Sequence, residues 1–297
     1  MKNMKGNLIL TITAFIWGTA FVAQTTGLEH IGPLTFNGVR SFLGAIALLP
    51  VIWFLSRRKK DTNSRRDLLI GGIVCGLVFT TASTLQQIGM QYTEPGKAGF
   101  ITALYIVFVP IIQVFMGKKL QKNTIFAVIL SLIGMYLLCI TEELTISKGD
   151  LLIFLCAIFF SLHILVIDKY SPKVDGVKLS AFQFLVAGII CCSLSIPFET
   201  QDFSKIIDAS GSLLYTGIMS SGVAYTLQII GQKYTSPVLA TIIMSLESVF
   251  AALAGWVILK DVMSTKEIIG ALLMFIAIIS AQLPEGFFKG LLKKKQG

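Results

Sequence analysis

Ten runs of hydrophobic residues, separated by short polar segments, dominate the pattern of this chain. They cover approximately residues 7–26, 33–55, 68–91, 96–117, 123–141, 150–169, 177–197, 210–232, 237–259 and 266–284. A membrane core about 30 Å thick requires roughly 20 apolar residues per helix, so each run is long enough to cross it. Turn signals such as Gly32-Pro33 and Ser236-Pro237 mark the breaks. The pattern predicts an all-α polytopic membrane protein with ten transmembrane helices.

The composition supports a lipid environment. Of the 297 residues, 54% are hydrophobic and 14% are charged, and the mean hydropathy is +0.78. A water-soluble domain needs a polar shell that this composition cannot supply. The net charge of +9 does not indicate nucleic acid, because the basic residues lie in loops between apolar runs rather than on one folded face. We therefore expect a lipid bilayer as a partner, and no nucleic acid.

The basic residues predict the orientation. With the ten spans threaded in order, 19 of the 25 Lys and Arg fall on the side of the N-terminus, 5 fall on the other side, and Arg40 lies within a span. Lys and Arg concentrate in cytoplasmic loops. We expect a multi-pass membrane protein with both termini in the cytoplasm, including a basic tail over residues 286–297.

The chain also contains an internal repeat. Residues 84–95, TLQQIGMQYTEP, match residues 226–237, TLQIIGQKYTSP, at 8 of 12 positions. The offset of 142 continues, with Ala98 aligned with Ala240. At an offset of 143, Gly6 aligns with Gly149 and Arg40 aligns with Gln183. Such self-similarity predicts two related halves.

Each half holds five predicted helices, so the second half enters the membrane upside down. The predicted units are residues 1–143 and 148–285. Two inverted repeats around a midplane site are the architecture of many secondary transporters. Residues 1–26 also resemble a signal peptide, but their counterpart in the second half favours a first transmembrane helix.

Several segments resemble a known family. They are ITAFIWGTAFVA in the first helix, FNGVRSFLGA in the second, AGFITALYIVFVPI in the fourth and SLESVFAALAGWVIL in the ninth. Their order, spacing and duplication resemble the drug/metabolite transporter superfamily, specifically the bacterial EamA-type permeases of ten helices. The resemblance implies a location in the bacterial cytoplasmic membrane. The resemblance implies transport of small metabolites, among them amino acids, through a central cavity lined by helices one, three, four, six, eight and nine.

Two ionisable residues lie deep in predicted spans, where a charge is costly. Glu247 is ten residues into the ninth helix, about 15 Å from its start. It is either a coupling or cation site or a structural carboxylate that pairs with the backbone or with Arg40. Its repeat partner is Tyr105. Arg40 in the second helix is either structural or a site for an anionic group.

Other polar and aromatic residues complete the predicted substrate site. Gln86 and Gln228 are repeat partners that either orient a polar substrate or join helices. His163 is either a neutral core residue or part of a proton relay with Glu247. The predicted substrate-binding residues are Trp17, Gln86, Tyr105, His163, Tyr225, Gln228 and Glu247.

These observations favour a secondary transporter working by alternating access. A flippase for lipid-linked intermediates and a non-transport receptor or scaffold remain as alternatives. An intramembrane enzyme is disfavoured, because the spans lack the grouped nucleophile, base or metal-ligand residues that such an enzyme needs. The five cysteines show neither metal spacing nor a secreted disulfide pattern, so we expect no cofactor and no metal. The oligomeric state stays open between a monomer and a homodimer.

Overall fold

The structure is a computed structural model that describes residues 2–58, 64–93, 95–139, 147–254 and 264–282. Ten helices in these ranges are long and apolar enough to cross a membrane, which confirms the predicted fold class. Their bounds are α1 (Lys2–Leu28), α2 (Pro33–Arg58), α3 (Arg65–Gly89), α4a (Pro95–Thr102), α4b (Tyr105–Phe115), α5 (Lys122–Cys139), α6 (Lys148–Tyr170), α7 (Gly176–Phe198), α8 (Ser210–Gln232), α9a (Pro237–Met244), α9b (Glu247–Ala254) and α10 (Thr265–Gln282). A short helix, Phe203–Asp208, precedes α8. The predicted tail, residues 286–297, lies outside the described residues.

Contacts between helix ends define two faces of the bundle. At the face where α1 begins, which we call the N-terminal face, Lys118 after α4b forms an ion pair of 3.9 Å with Asp168 at the end of α6. At the opposite face, Thr93 after α3 forms a hydrogen bond of 3.2 Å with Ser147 before α6. Helices that follow one another therefore run in opposite directions. With five helices per repeat, the two repeats are inverted relative to each other.

Side chains on the loops satisfy the free amide groups at several helix starts. The Ser147 hydroxyl accepts from the amide of Asp150, and the Asp150 carboxylate accepts from the amide of Ser147 in return. Asp175 accepts from the first amides of α7, and Ser236 accepts from Leu239 in α9a. Such caps stabilise helix ends that have no partner within the helix.

Glu199 joins the end of α7 to the beginning of α2. Its carboxylate accepts from the amides of Leu34 and Thr35 at 2.7 and 2.8 Å, and from the Thr35 hydroxyl at 2.7 Å. A negative charge is favourable at a helix N-terminus, where amides are unpaired and the helix dipole is positive. This contact fixes the start of α2, the helix that carries Arg40.

The fourth and ninth helices are interrupted at repeat-related positions. Ala103 and Leu104 separate α4a from α4b, and Ser245 and Leu246 separate α9a from α9b. The two breaks are 142 residues apart, the offset of the repeat. The hydrophobic pattern predicted continuous helices here because it runs through both breaks unchanged. Discontinuous helices at the repeat interface are common in transporters and place helix ends near a substrate.

Helix α8 widens into a π-helix over Tyr215–Ala224. The same segment packs closely on α2, since a Cβ atom on Gly217 would lie 2.6 Å from Cβ of Leu43 and 3.1 Å from the carbonyl oxygen of Arg40. π-Helical turns are rare and occur frequently at functional sites. The segment brings α2 and α8 together beside Arg40.

Polar and apolar side chains are distributed as lipid requires. Large apolar side chains cover the outside, for example Phe115 and Phe198, which are 87% and 75% exposed. Arg40 and Glu247 are buried, with 4% and 3% exposure. A membrane protein excludes its charges from lipid by turning them into the bundle. The buried charges therefore mark the part of the interior to search for a site.

Candidate substrate site

A cavity lies between the two repeats at the level of the helix breaks. Its empty volume is about 510 Å³, including its opening. The first repeat contributes α1, α2, α3 and α4, and the second contributes α6, α8 and α9. The lining residues are Trp17, Ala20, Phe21, Gln24, Arg40, Gln86, Thr102, Tyr105, Phe160, Ile164, Ser220, Tyr225, Gln228, Met244 and Glu247. The family resemblance did not imply a contribution from α2.

The cavity wall follows the repeat. Ten of its fifteen residues form five pairs at offsets of 142 or 143. The pairs are Trp17 with Phe160, Phe21 with Ile164, Gln86 with Gln228, Thr102 with Met244, and Tyr105 with Glu247. Equivalent backbone positions of both repeats thus enclose one space, while their side chains differ in chemistry.

Glu247 is the acidic residue of the cavity wall. It is the first residue of α9b, directly after the break in α9. The Tyr105 hydroxyl, at the equivalent start of α4b, donates to Glu247 Oε1 at 2.9 Å. The two breaks therefore bring a carboxyl group and a phenol together in the middle of the bundle. The sequence interpretation considered Arg40 as a structural partner of Glu247, but the hydrogen bond comes from Tyr105.

Arg40 is the basic residue of the cavity wall. Its Nη1 atom donates to Gln24 Oε1 at 2.8 Å, and its guanidinium carbon lies 5.6 Å from the centre of the Phe36 ring. Its Nε atom is buried and has no hydrogen-bond partner among the described residues. Neither Arg40 nor Glu247 takes part in an ion pair within that part of the chain. The cavity wall thus contains a basic and an acidic side chain without a salt bridge between them.

The predicted amides lie in the same wall. Gln86 Nε2 donates to Thr102 Oγ1 at 3.0 Å, which joins α3 to α4a. Gln228 Oε1 and Trp17 Nε1 are buried without a hydrogen-bond partner among the described residues. A buried polar atom costs free energy until it finds a partner, so these atoms are available to a polar ligand.

Tyr225 joins the cavity to an aromatic layer behind it. Its ring packs against Trp17 with centroids 4.6 Å apart and against Phe79 and Phe184 at 5.0 and 5.4 Å. His163 lies in this layer, 6.0 Å from the Tyr225 ring centre. It is fully buried and is not among the residues that line the cavity. The structure therefore places His163 one layer behind the predicted site.

Gln183 on α7 is the hydrogen-bond partner of His163. The distance between His163 Nε2 and Gln183 Oε1 is 2.9 Å. Gln183 is the repeat partner of Arg40, which contacts Gln24 on α1 in the same way. Each repeat therefore uses its second helix to hold a polar side chain of its first helix.

Close packing of α1 fixes the position of Glu247. A Cβ atom on Gly18 would lie 2.6 Å from the carbonyl oxygen of Glu247 and 2.7 Å from Cβ of Phe250. A larger residue at this position has no room unless α1 or α9b moves. Gly18 thus permits the close approach of the two helices that form one side of the cavity.

Five polar or aromatic lining residues were not predicted from the sequence, namely Phe21, Gln24, Thr102, Phe160 and Ser220. The repeat offset was the signal that identifies Phe160, since this residue is the partner of Trp17. Phe21, Thr102 and Ser220 carry no comparable signal, because apolar and small polar residues occur throughout such helices. Gln24 is an amide inside the first predicted span, so the cost of placing it in lipid was the signal that could have identified it.

The two halves of the chain match the same family model, that of the EamA-like transporter family, over residues 4–140 and 147–281. The chain belongs to this family. EamA-like relatives include a protein named only as an uncharacterized transporter from Archaeoglobus fulgidus, 31% identical over 286 residues, which cover 95% of this chain and 87% of that protein. The uncharacterized transporter YoaV of Bacillus subtilis is 26% identical over 92% of this chain and 94% of its own length.

A solved structure shares the fold of this EamA-like chain. It aligns with a TM-score of 0.78 at 18% identity and covers 94% of this chain and 98% of its own. The family match and the relatives support a membrane transporter. They do not specify its cargo, so the substrate must be inferred from the cavity.

Proposed function

We propose that the protein is a secondary transporter for small metabolites that carry both an amino group and a carboxylate, such as amino acids, and that it works by alternating access. The observation that carries the proposal is the presence of Arg40 and Glu247 in the wall of one cavity. In this assignment Arg40 binds the carboxylate of the substrate and Glu247 binds its ammonium group.

The cost of buried charge supports this assignment. A charged side chain inside a membrane bundle is expensive unless it is paired. Within the described part of the chain, Arg40 has one neutral side-chain hydrogen-bond partner, Gln24, and Glu247 has one, Tyr105. A substrate with both charges compensates both groups at once. A guanidinium can also bind a carboxylate through two parallel hydrogen bonds. Trp17 Nε1 and Gln228 Oε1, which have no hydrogen-bond partner in the residue ranges that the structure describes, add a donor and an acceptor.

The repeat supports the mechanism. Inverted repeats give a transporter two conformations of similar energy, in which the same central site is exposed first at one face and then at the other. Here the cavity lies between the repeats and uses equivalent positions of both. The charge bias of 19 against 5 basic residues supports a cytoplasmic N-terminal face.

Glu247 is also proposed as the coupling group. A carboxyl group can bind either a proton or a substrate ammonium group, and competition between the two exchanges one for the other. Tyr105 stays bonded to the carboxyl group in both states. Movement of the substrate in one direction is then accompanied by a proton in the other.

The test is transport by purified protein in lipid vesicles. Labelled amino acids, primary amines and monocarboxylates are compared with and without a proton gradient. We expect gradient-driven uptake of at least one amino acid. We also expect Glu247→Gln to lower that uptake by about tenfold or more, because a hydrogen bond to a charged group contributes about 1.5–3 kcal/mol.

Glu267→Gln is the matched control, since Glu267 caps the exposed start of α10 through Ser264 and lies away from the cavity. Uptake that is the same in Glu247→Gln and in the parent protein would exclude the coupling role. Preference for amines or monocarboxylates over amino acids would exclude the proposed substrate class.

A further inference from the structure

The beginning of α1 is clamped to the end of α8 at the N-terminal face. A Cβ atom on Gly6 would lie 2.3 Å from Thr235 Oγ1, so the two segments are in close contact. The Thr235 hydroxyl donates to Asn7 Oδ1 at 3.3 Å, and Lys5 Nζ lies 5.4 Å from the centre of the Tyr234 ring. We call these five residues the N-face clamp. It joins the first repeat to the second.

The beginning of α6 is clamped to the end of α3 at the opposite face. A Cβ atom on Gly149 would lie 2.4 Å from Thr93 Oγ1. The Thr93 hydroxyl donates to Asp150 Oδ1 at 2.8 Å, and Lys148 Nζ lies 3.7 Å from the centre of the Tyr92 ring. We call these five residues the opposite-face clamp. It also joins the two repeats.

The two clamps are copies of one arrangement. Every member of one has its counterpart in the other at an offset of 142 or 143. The counterparts are Lys5 with Lys148, Gly6 with Gly149, Asn7 with Asp150, Tyr92 with Tyr234, and Thr93 with Thr235. Because the repeats are inverted, the copies lie at the two ends of the bundle.

The cavity lies between the clamps. Trp17 and Phe160 line it, and they follow Asn7 and Asp150 by ten residues in their helices, which is about 15 Å at 1.5 Å per residue. Each clamp therefore joins the two repeats between the cavity and one face of the bundle. In this structure the contacts of both clamps are formed.

The clamps differ in one chemical respect. Asp150 forms an ion pair with Lys97, with Nζ and Oδ2 2.6 Å apart, and both side chains are largely buried. The equivalent positions of the N-face clamp are Asn7 and Leu239, which are neutral. Hydrogen bonds between charged partners are stronger than those between neutral ones. The opposite-face clamp is therefore the stronger of the two.

We propose that the two clamps are the gates of the transport cycle, and that the Lys97–Asp150 pair biases the empty transporter toward opening at the N-terminal face. The inference rests on the proposed alternating access. The populations of two conformations depend on the difference in free energy between them. The ion pair contributes to this difference, because it breaks only when the opposite face opens. Lys97 and Asp150 are thus positioning residues that do not touch the substrate.

A cysteine in the cavity reports which face is open. Ser220→Cys places a thiol in the cavity wall, outside both clamps, and the protein without this substitution gives the background from its five native cysteines. A membrane-impermeant maleimide is applied from one face and then from the other in sealed vesicles without substrate. We expect faster labelling from the N-terminal face.

Weakening either partner of the ion pair should shift the equilibrium. We expect Asp150→Asn and Lys97→Gln each to raise the ratio of opposite-face to N-terminal-face labelling by about fivefold or more, since about 1 kcal/mol is a factor of about five. Transplanting the pair with Asn7→Asp and Leu239→Lys should shift the ratio in the same direction. Asp202→Asn, in an exposed cap before the short helix at the opposite face, is the control and should leave the ratio unchanged.

The outcomes separate this inference from the proposed function. A thiol that is reached from one face alone in every variant would overturn both alternating access and the gating role of the clamps. Labelling from both faces at ratios that Asp150→Asn, Lys97→Gln and the transplanted pair leave unchanged would overturn the clamp inference alone. Thermal unfolding of each variant identifies any that fails to fold, and the transplanted pair leaves Lys97 and Asp150 in place, so the test does not depend on their loss.

Discussion

The Tyr105 hydroxyl donates to Glu247 Oε1 at 2.9 Å, and the two residues are 142 positions apart, which is the offset of the repeat. Each is the first residue of a half-helix that follows a break. Side chains from equivalent positions of the two repeats thus contact each other, a phenol from the first repeat and a carboxyl group from the second. One repeat thus supplies the hydrogen-bond donor and the other the acceptor of the same contact.

Tyr105→Phe tests this contact. We expect the substitution to leave the fold intact and to raise the KM for an amino acid substrate by about tenfold, because a hydrogen bond to a charged group contributes about 1.5–3 kcal/mol and also orients the carboxyl group. Transport kinetics in lipid vesicles provide the measurement. Tyr136→Phe is the matched control, since Tyr136 lies on α5 and is 40% exposed.

Arg40→Lys tests whether Arg40 binds the carboxylate end of the substrate. Lysine keeps the positive charge but lacks the planar guanidinium that binds a carboxylate through two hydrogen bonds. We expect the KM for amino acids to rise by about tenfold, while inhibition by primary amines, which lack the carboxylate, stays unchanged. Competition assays with both ligand classes measure the difference.

The control for Arg40→Lys is Arg66→Lys, at an exposed position near the start of α3. Equal weakening of amines and amino acids in Arg40→Lys would assign Arg40 to the structure of α2 and not to the carboxylate.

The fold was largely predictable because lipid imposes strong rules on sequence. Apolar runs of sufficient length predicted all ten helices, and the match of residues 84–95 with residues 226–237 predicted the repeat. The breaks in α4 and α9 were not predictable, since Ala103, Leu104 and Leu246 fit a continuous apolar helix as well as a break. Tertiary packing, rather than local preference, determines where these helices stop.

The sequence identified those cavity residues whose polar side chains would be costly to place in lipid. Glu247, Gln86 and Gln228 stand out because lipid penalises their side chains, and the structure places all three in the cavity wall. His163 stands out for the same reason but lies behind Tyr225. The cost of burial indicates that a polar group faces the interior, and it does not distinguish the cavity from the layer behind it.

His163→Leu tests the role of that layer. The substitution leaves Gln183 Oε1 without its partner, so we expect the free energy of unfolding to fall by about 1–3 kcal/mol. We expect KM values to stay unchanged, because His163 does not line the cavity. Thermal unfolding and transport kinetics measure the two effects separately.

The double variant His163→Leu with Gln183→Leu provides the control. Removal of both partners leaves no unsatisfied acceptor, so the loss of stability should be smaller than the sum of the two single losses. Loss of proton-driven uptake in His163→Leu with normal binding would instead assign His163 to proton transfer.

Gly18→Ala tests the close packing of α1 on α9b. The new Cβ atom would lie 2.6 Å from the carbonyl oxygen of Glu247, so one of the two helices must move. We expect the free energy of unfolding to fall by about 1–3 kcal/mol, as for other overpacked cores, and the KM to rise because Glu247 shifts. Gly211→Ala is the matched control, since no atom of residues 2–58, 64–93, 95–139, 147–254 or 264–282 lies within 4 Å of its added Cβ atom and alanine favours a helix. Thermal unfolding and transport by the two variants are compared side by side; equal stability and equal KM in both would show that the approach of α1 does not position Glu247.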